Sequence, residues 1–194
     1  MFLRHFPNLS ERRVLDLGGR LDFWVQSGVR PRQVDIVNLY EGNGRAGSWY
    51  REVKADACDP SAELGGVHYD LVFSNSLIEH LGGHARRLEF AATVIQSADA
   101  YWIQTPYKYF PIEPHWIFPF FQFLPLALQA RVSCSWPLMH TKQPTQPDGV
   151  RAALGVELMD KTAMRYYFSG AQLLVERFLG LPKSLIAVRS GQTI

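Results

Sequence analysis

Apolar and polar positions along the chain follow two rhythms. Short runs such as Val14-Leu15-Asp16-Leu17, Val34-Asp35-Ile36-Val37 and Leu71-Val72-Phe73 are almost wholly apolar, as expected of strands buried on both faces. Residues 84–98 instead carry Leu88, Ala91, Ala92 and Ile95 at the i, i+3, i+4, i+7 spacing of an amphipathic helix. Extending this reading predicts strands over 13–17, 34–39, 50–55, 69–75 and 101–104. It predicts short helices over 21–28 and near 61–64, and longer ones over 84–98 and near 162–168. Two β-rich runs, 172–179 and 184–189, are joined by Gly180-Leu181-Pro182 and read as an antiparallel hairpin. Residues 1–12 form a short helical or irregular lead-in, and Glu41–Ser48 a glycine-rich loop without helical period.

One region breaks the rhythm. Seven of the 12 prolines fall within 107–150, and eight of the 17 residues from Tyr107 to Phe123 are Phe, Trp or Tyr. Prolines exclude a long helix there, and Lys142–Gly149 reads as an exposed loop. The whole chain is expected to be one domain, 1–194, with 107–150 as an insertion after the fifth strand. A chain of 194 residues, 47% hydrophobic and 20% charged, is of ordinary globular composition. Its net charge of +2 and the absence of a basic run argue against a nucleic-acid partner. Cys58 and Cys134 match no zinc spacing and read as free thiols in a reducing, cytoplasmic setting. The N-terminus lacks the features of a signal peptide, and no segment is apolar enough to span a membrane.

Strands alternating with helices predict an α/β fold with a mostly parallel sheet. Ligands of such sheets sit beyond the carboxyl ends of the strands. The first strand runs into Gly18-Gly19, where the missing Cβ atoms let backbone N–H groups approach a ligand; a tight βα turn alone would use the same pair. Asp16, near the strand end, can accept a hydrogen bond from a cationic amine. Counted from Gly18, a dinucleotide fingerprint needs glycine at positions 20 and 23, which are Arg20 and Phe23, and there is no P-loop. The turn therefore suits a cofactor without phosphates.

Val14-Leu15-Asp16-Leu17-Gly18-Gly19 resembles motif I of class I S-adenosylmethionine-dependent methyltransferases. Lys54-Ala55-Asp56-Ala57-Cys58 resembles that superfamily's third-strand motif. Tyr69 to Leu81, with its Ser74-Asn75 turn and Glu79-His80 pair, is similar to its strand-four motif, and the closing hairpin matches its reversed last strand. The resemblance covers about 11–106 and 157–190. It implies a Rossmann-like seven-stranded sheet with the last strand antiparallel and helices on both faces. It implies S-adenosylmethionine as cofactor, with Asp16 near the ammonium, Gly18 and Gly19 beneath it, and Asn38 at the ribose. Asp56 and Ala57 would lie at the adenine, and Ser74 and Asn75 at the methionine portion. Arg20 stands where the motif has its third glycine, Asn38 where it has an acid that Glu41 could replace. The helix usual between strands two and three is absent or reduced to the 41–48 loop.

Methyl transfer chiefly requires donor and acceptor to be held in contact, with a base only for a protonated acceptor. His80 and His115 are the candidate bases, and Glu79, Gln104, Tyr107 and Glu113 the candidate acceptor-binding groups. Glu113-x-His115 is too weak a spacing for a metal, so none is expected. The aromatic insertion reads as a lid or as core around the pocket, with exposed aromatics such as Phe120 and Phe121 meeting the acceptor. The expected activity is methylation of a small-molecule, lipid-like or glycan-precursor acceptor, with at most weak peripheral membrane contact. The alternative is a non-catalytic Rossmann-like binding module with a degenerate cofactor site.

Overall fold

The computed structural model describes residues 1–39, 46–139 and 142–191. Five parallel strands come first: β1 (Arg13–Leu17), β2 (Gln33–Asn38), β3 (Tyr50–Lys54), β4 (Leu71–Asn75) and β5 (Ala100–Pro106). A two-stranded ribbon, β6 (Ile112–Glu113) with β7 (Phe118–Pro119), stands apart from the sheet. The chain closes with β8 (Gln172–Phe178) and β9 (Leu181–Ser190). The main sheet has seven strands in the order β3-β2-β1-β4-β5-β9-β8, and β9 runs antiparallel to both its neighbours. The connection between β2 and β3, including the expected loop and Glu41, lies mostly outside the described residues.

Helices cover both faces. On one lie α1 (Phe2–His5) and α2 (Leu21–Gln26), with Phe6, Trp24, Val14, Ile36, Phe73 and Trp102 in a common cluster. On the other lie α3 (Ser61–Leu64), α4 (His84–Ser97) and α7 (Lys161–Tyr167), packed on Leu15, Leu17, Val37, Val72 and Ile103. Alternate residues of each strand therefore serve opposite layers. A fully buried side chain such as Phe90 contributes about 1.5–3 kcal/mol. The buried face of α4 carries Arg87, Phe90, Ala91 and Val94, while Leu88 and Ile95 are exposed. The apolar spacing of the sequence thus located this helix but misplaced its face by about one residue. Cys58 and Cys134 are both free, and burial pushes the Cys58 thiol up to about 11.

The stretch after β5 is more ordered than its prolines suggest. It forms the β6–β7 ribbon, α5 (Leu126–Ser135) and α6 (Gln146–Leu154). Pro125 stands at the N-cap of α5 and Pro147 in the first turn of α6, positions where a missing N–H costs nothing. The loop expected over Lys142–Gly149 is corrected accordingly: Thr145 accepts a hydrogen bond from the Asp148 amide and starts α6 there. A Cβ on Gly149 would come within 2.6 Å of the Ala130 carbonyl, so glycine lets α5 and α6 cross closely. Trp116 and Phe121 stack at 4.0 Å in a separate apolar cluster with Ala153. Phe121 is therefore core rather than an exposed lid residue, whereas Phe120 is exposed.

Candidate active site

Adjacent strands β1, β2 and β4 end side by side, and their C-terminal turns build the site. Gly18, with φ +79°, donates its amide to the Val37 carbonyl and lies against Leu77, whose side chain a Cβ would meet at 2.8 Å. A Cβ on Gly19 would fall 1.8 Å from Asp16 Oδ2. Gly18 is thus required by the left-handed backbone of the turn, and Gly19 by the carboxylate beneath it. Asp16 is fully buried. Its Oδ2 accepts the Trp24 indole N–H at 2.7 Å, while its Oδ1 has no hydrogen-bond partner. Burial pushes this carboxyl up to about 7, against the opposing indole bond.

Beside this turn opens a cavity of about 170 Å³ lined by Gly18, Val37, Asn38, Asp56, Ala57, Leu77, His80 and Arg86, among others. Four residues expected at the cofactor and one expected at the acceptor thus meet in one place. Asn38 donates its amide to the Gly19 carbonyl at 3.3 Å. Asp56 is held by the Arg86 guanidinium and by the Cys58 amide, which together keep its carboxyl below the usual range despite the opposing effect of burial. Arg86 escaped the sequence reading. It comes from the first turn of α4, and only its position one turn into a helix facing the third-strand acid could have signalled it. Ser74 is buried and donates to the Leu17 carbonyl at 2.8 Å, tying β4 to β1.

Other expected residues lie elsewhere. Asn75 and Gln104 line a separate groove with Phe2, Phe23 and Glu176, and Gln104 bonds Trp102 and Glu176. Tyr107 packs against Tyr109, and the Lys161 ammonium sits over its ring.

The acceptor-side candidates His80, His115, Glu79 and Glu113 come together at the rim. Ser76, in a left-handed conformation at φ 58°, turns the chain off β4 into the one-turn helix Ile78–His80. His115 sits in the turn between β6 and β7, and its Nε2 lies 3.1 Å from that of His80. Glu113 holds His115 Nδ1 at 2.7 Å and accepts the Trp116 amide. Burial works to lower His115, but the Glu113 carboxylate keeps it above the ordinary histidine value. Glu79 is 1% exposed; Thr105 donates to its Oε2, and burial pushes its carboxyl up.

No protein-family model and no curated protein matches the sequence. Solved structures do match in shape. One is a Rhodobacter sphaeroides protein provisionally described as a zinc-dependent alcohol dehydrogenase, with TM-score 0.62 and 12% identity over 95% of this chain and 86% of that one. Another is a SAM-dependent methyltransferase from Archaeoglobus fulgidus, with TM-score 0.54 and 14% identity over 97% and 91%. A third is magnesium protoporphyrin IX methyltransferase from Synechocystis with bound SAH, with TM-score 0.53 and 14% identity over 97% and 78%. With its strand order and antiparallel β9, the chain has the class I S-adenosylmethionine-dependent methyltransferase fold.

Proposed function

We propose that the chain is an S-adenosylmethionine-dependent methyltransferase acting on a small-molecule acceptor. The observation that carries this reading is the buried, unpartnered Oδ1 of Asp16 beneath a glycine turn that borders the cavity. A buried acceptor without a donor costs about 1–3 kcal/mol, and a cationic amine is the partner that relieves it best. The residues therefore fit the cofactor. Asp16 would hold its ammonium, Gly18 and Gly19 its methionine portion, Asn38 its ribose, and Asp56 with Ala57 its base. When bound, the cofactor supplies an electrophilic methyl group together with its own leaving group. The protein's share is then to hold donor and acceptor in contact.

On the acceptor side, His80 and His115, backed by Glu79 and Glu113, are the polar groups of the rim. Exposed Tyr109, Ile112 and Phe120 on the neighbouring segment favour an acceptor with an apolar portion, of the lipid-like or glycan-precursor kind. Among the described residues no helix is long and apolar enough to cross a membrane. The reading favours the cytoplasm, a reducing compartment where two free thiols persist.

Calorimetric titration with S-adenosylhomocysteine tests the proposal. One site per chain is expected. Thermal unfolding should show stabilisation by about 2.7 kcal/mol at a hundredfold excess over Kd. Absence of both heat and stabilisation at millimolar ligand would overturn it.

A further inference from the structure

The two rim histidines are arranged in a way that neither a core nor a cofactor cavity requires. His115 Nδ1 faces a Glu113 oxygen at 2.7 Å, and an ionised carboxylate only accepts, so this nitrogen carries the proton. His80 Nδ1 faces the Gly155 carbonyl at 3.3 Å, again an acceptor. In their neutral forms both rings therefore present the Nε2 lone pair, and these two atoms face each other at 3.1 Å. Two lone pairs so close repel unless a cation sits against both. Glu79, whose Oε1 is buried and lacks a hydrogen-bond partner, brings a carboxylate oxygen to the same place. One donor atom from each of Glu79, His80 and His115 lies within 4.8 Å of the others.

We propose that Glu79, His80 and His115 bind a divalent transition-metal ion of the zinc or iron(II) type at the rim of the cofactor cavity. Two imidazole nitrogens bound to one such ion at its usual bond length stand about 3.0–3.4 Å apart, which is the separation found. The Glu79 carboxylate supplies the third donor, within 4.8 Å of both ring nitrogens. Glu113 and the Gly155 carbonyl play the part that carboxylates and carbonyls play behind metal-bound histidines, fixing the tautomer and the ring plane. The sequence reading discounted a metal on the spacing Glu113-x-His115. In the fold Glu113 supports a ligand, and Glu79 supplies the carboxylate. Two nitrogens and one oxygen suit zinc, iron(II) or cobalt(II) better than magnesium or calcium. Three protein ligands leave a position open, and His80 borders the cavity. The acceptor would then be a molecule that offers a hydroxyl or carboxylate oxygen to the ion. That use of the ion rests on the methyltransferase reading; the ion site itself does not.

The test is titration of the full chain, stripped of metal by a chelator, with cobalt(II) followed by its visible absorption, then competition with zinc. One cobalt per chain with a d–d band displaced by zinc is expected. His115→Ala and Glu79→Gln should each weaken cobalt at least a hundredfold. Glu113→Gln, a positioning change that leaves all three ligands in place, should weaken it about 10–100-fold in a metal-free protein that still folds. Should His115→Ala fail to fold, His80→Asn, at an exposed position, is read in the same way. No cobalt band, as a shared proton between the rings would give, or an affinity unchanged by His115→Ala or His80→Asn, would overturn the site. Cobalt binding without S-adenosylhomocysteine binding would instead sink the methyltransferase reading alone.

Discussion

Asp16 on β1 and Asp35 on β2 lie in neighbouring register, Leu15 pairing with Asp35 and Asp16 with Ile36, and neither is exposed at all. Their surroundings differ completely. Asp35 faces the α4 layer and is saturated: Arg51 reaches it at 2.9 Å, Arg13 at 3.2 Å and the Tyr69 hydroxyl at 2.7 Å. Although burial pulls the other way, these partners hold its carboxyl below the usual range. Asp16 faces the α2 layer with one indole N–H and one empty oxygen, and burial pushes it up to about 7. A buried charge that serves the fold is surrounded by donors from the fold. Asp16, beneath the glycine turn, keeps one oxygen without a donor, and the proposed cofactor ammonium is the partner offered to it.

The largest effect that would break this contrast is on stability. Asp35→Ala leaves the Tyr69 hydroxyl without its acceptor and two guanidiniums without their carboxylate. Because Arg13 and Arg51 are 26% and 39% exposed, the loss should fall at the lower end for a broken buried pair, about 3 kcal/mol. Urea unfolding measures it. S-adenosylhomocysteine affinity of the folded protein should not move, and a parallel fall would dissolve the division between the two carboxylates.

Asp16→Ala should do the reverse. Loss of a charge-assisted hydrogen bond, about 1.5–3 kcal/mol, weakens S-adenosylmethionine by roughly ten- to a hundredfold. Stability at neutral pH should change by less than about 1 kcal/mol, because the lost Trp24 bond is offset by removal of a carboxylate that burial disfavours. Unchanged affinity by calorimetry would reduce Asp16 to an anchor for Trp24.

The smallest effect is in pH dependence, where the two residues carry opposite signs. Asp35, lowered in the folded state, stabilises above the ordinary carboxylate range and loses that contribution as pH falls through its lowered value. Asp16, raised to about 7, favours the fold below about pH 4 and loses that contribution as pH rises through about 7. Melting temperature followed from pH 5 to 8 should therefore decline less in Asp16→Asn than in the parent. Pairing with an ammonium favours the carboxylate, so cofactor binding near pH 6 should release a fraction of a proton. Calorimetry in two buffers of different ionisation heat measures that fraction.

The strands and the glycine turn could be read from sequence because both are local. An apolar run such as Leu71-Val72-Phe73 has few alternatives to a buried strand, and Gly18 meets the turn's positive φ within its own few residues. Helices α5 and α6 are hard to see in the sequence because proline argues against a helix, whereas Pro125 and Pro147 both stand at helix starts. His80, His115, Glu79 and Glu113 could be named, but not their joint geometry. That geometry depends on the β6–β7 turn reaching across to the end of β4. Gln104 and Asn75 alternate onto the other side of the sheet from the cavity, which period-two side-chain direction explains once the strand limits are fixed. Trp24 and Arg86 were missed because each finds its carboxylate partner through helix packing rather than through sequence spacing.

The His80 ring has one further consequence. Its two nitrogens both meet the segment that follows β5, one through the Gly155 carbonyl and the other through His115, while its backbone belongs to the one-turn helix after β4. Beside it, the Glu157 amide donates to the Glu79 carbonyl. A single imidazole thus bridges two parts of the chain that carry separate apolar clusters. In nitrogen-15-enriched protein its ring-nitrogen resonances therefore act as a spectroscopic gauge of how closely those parts are seated, readable without any ligand.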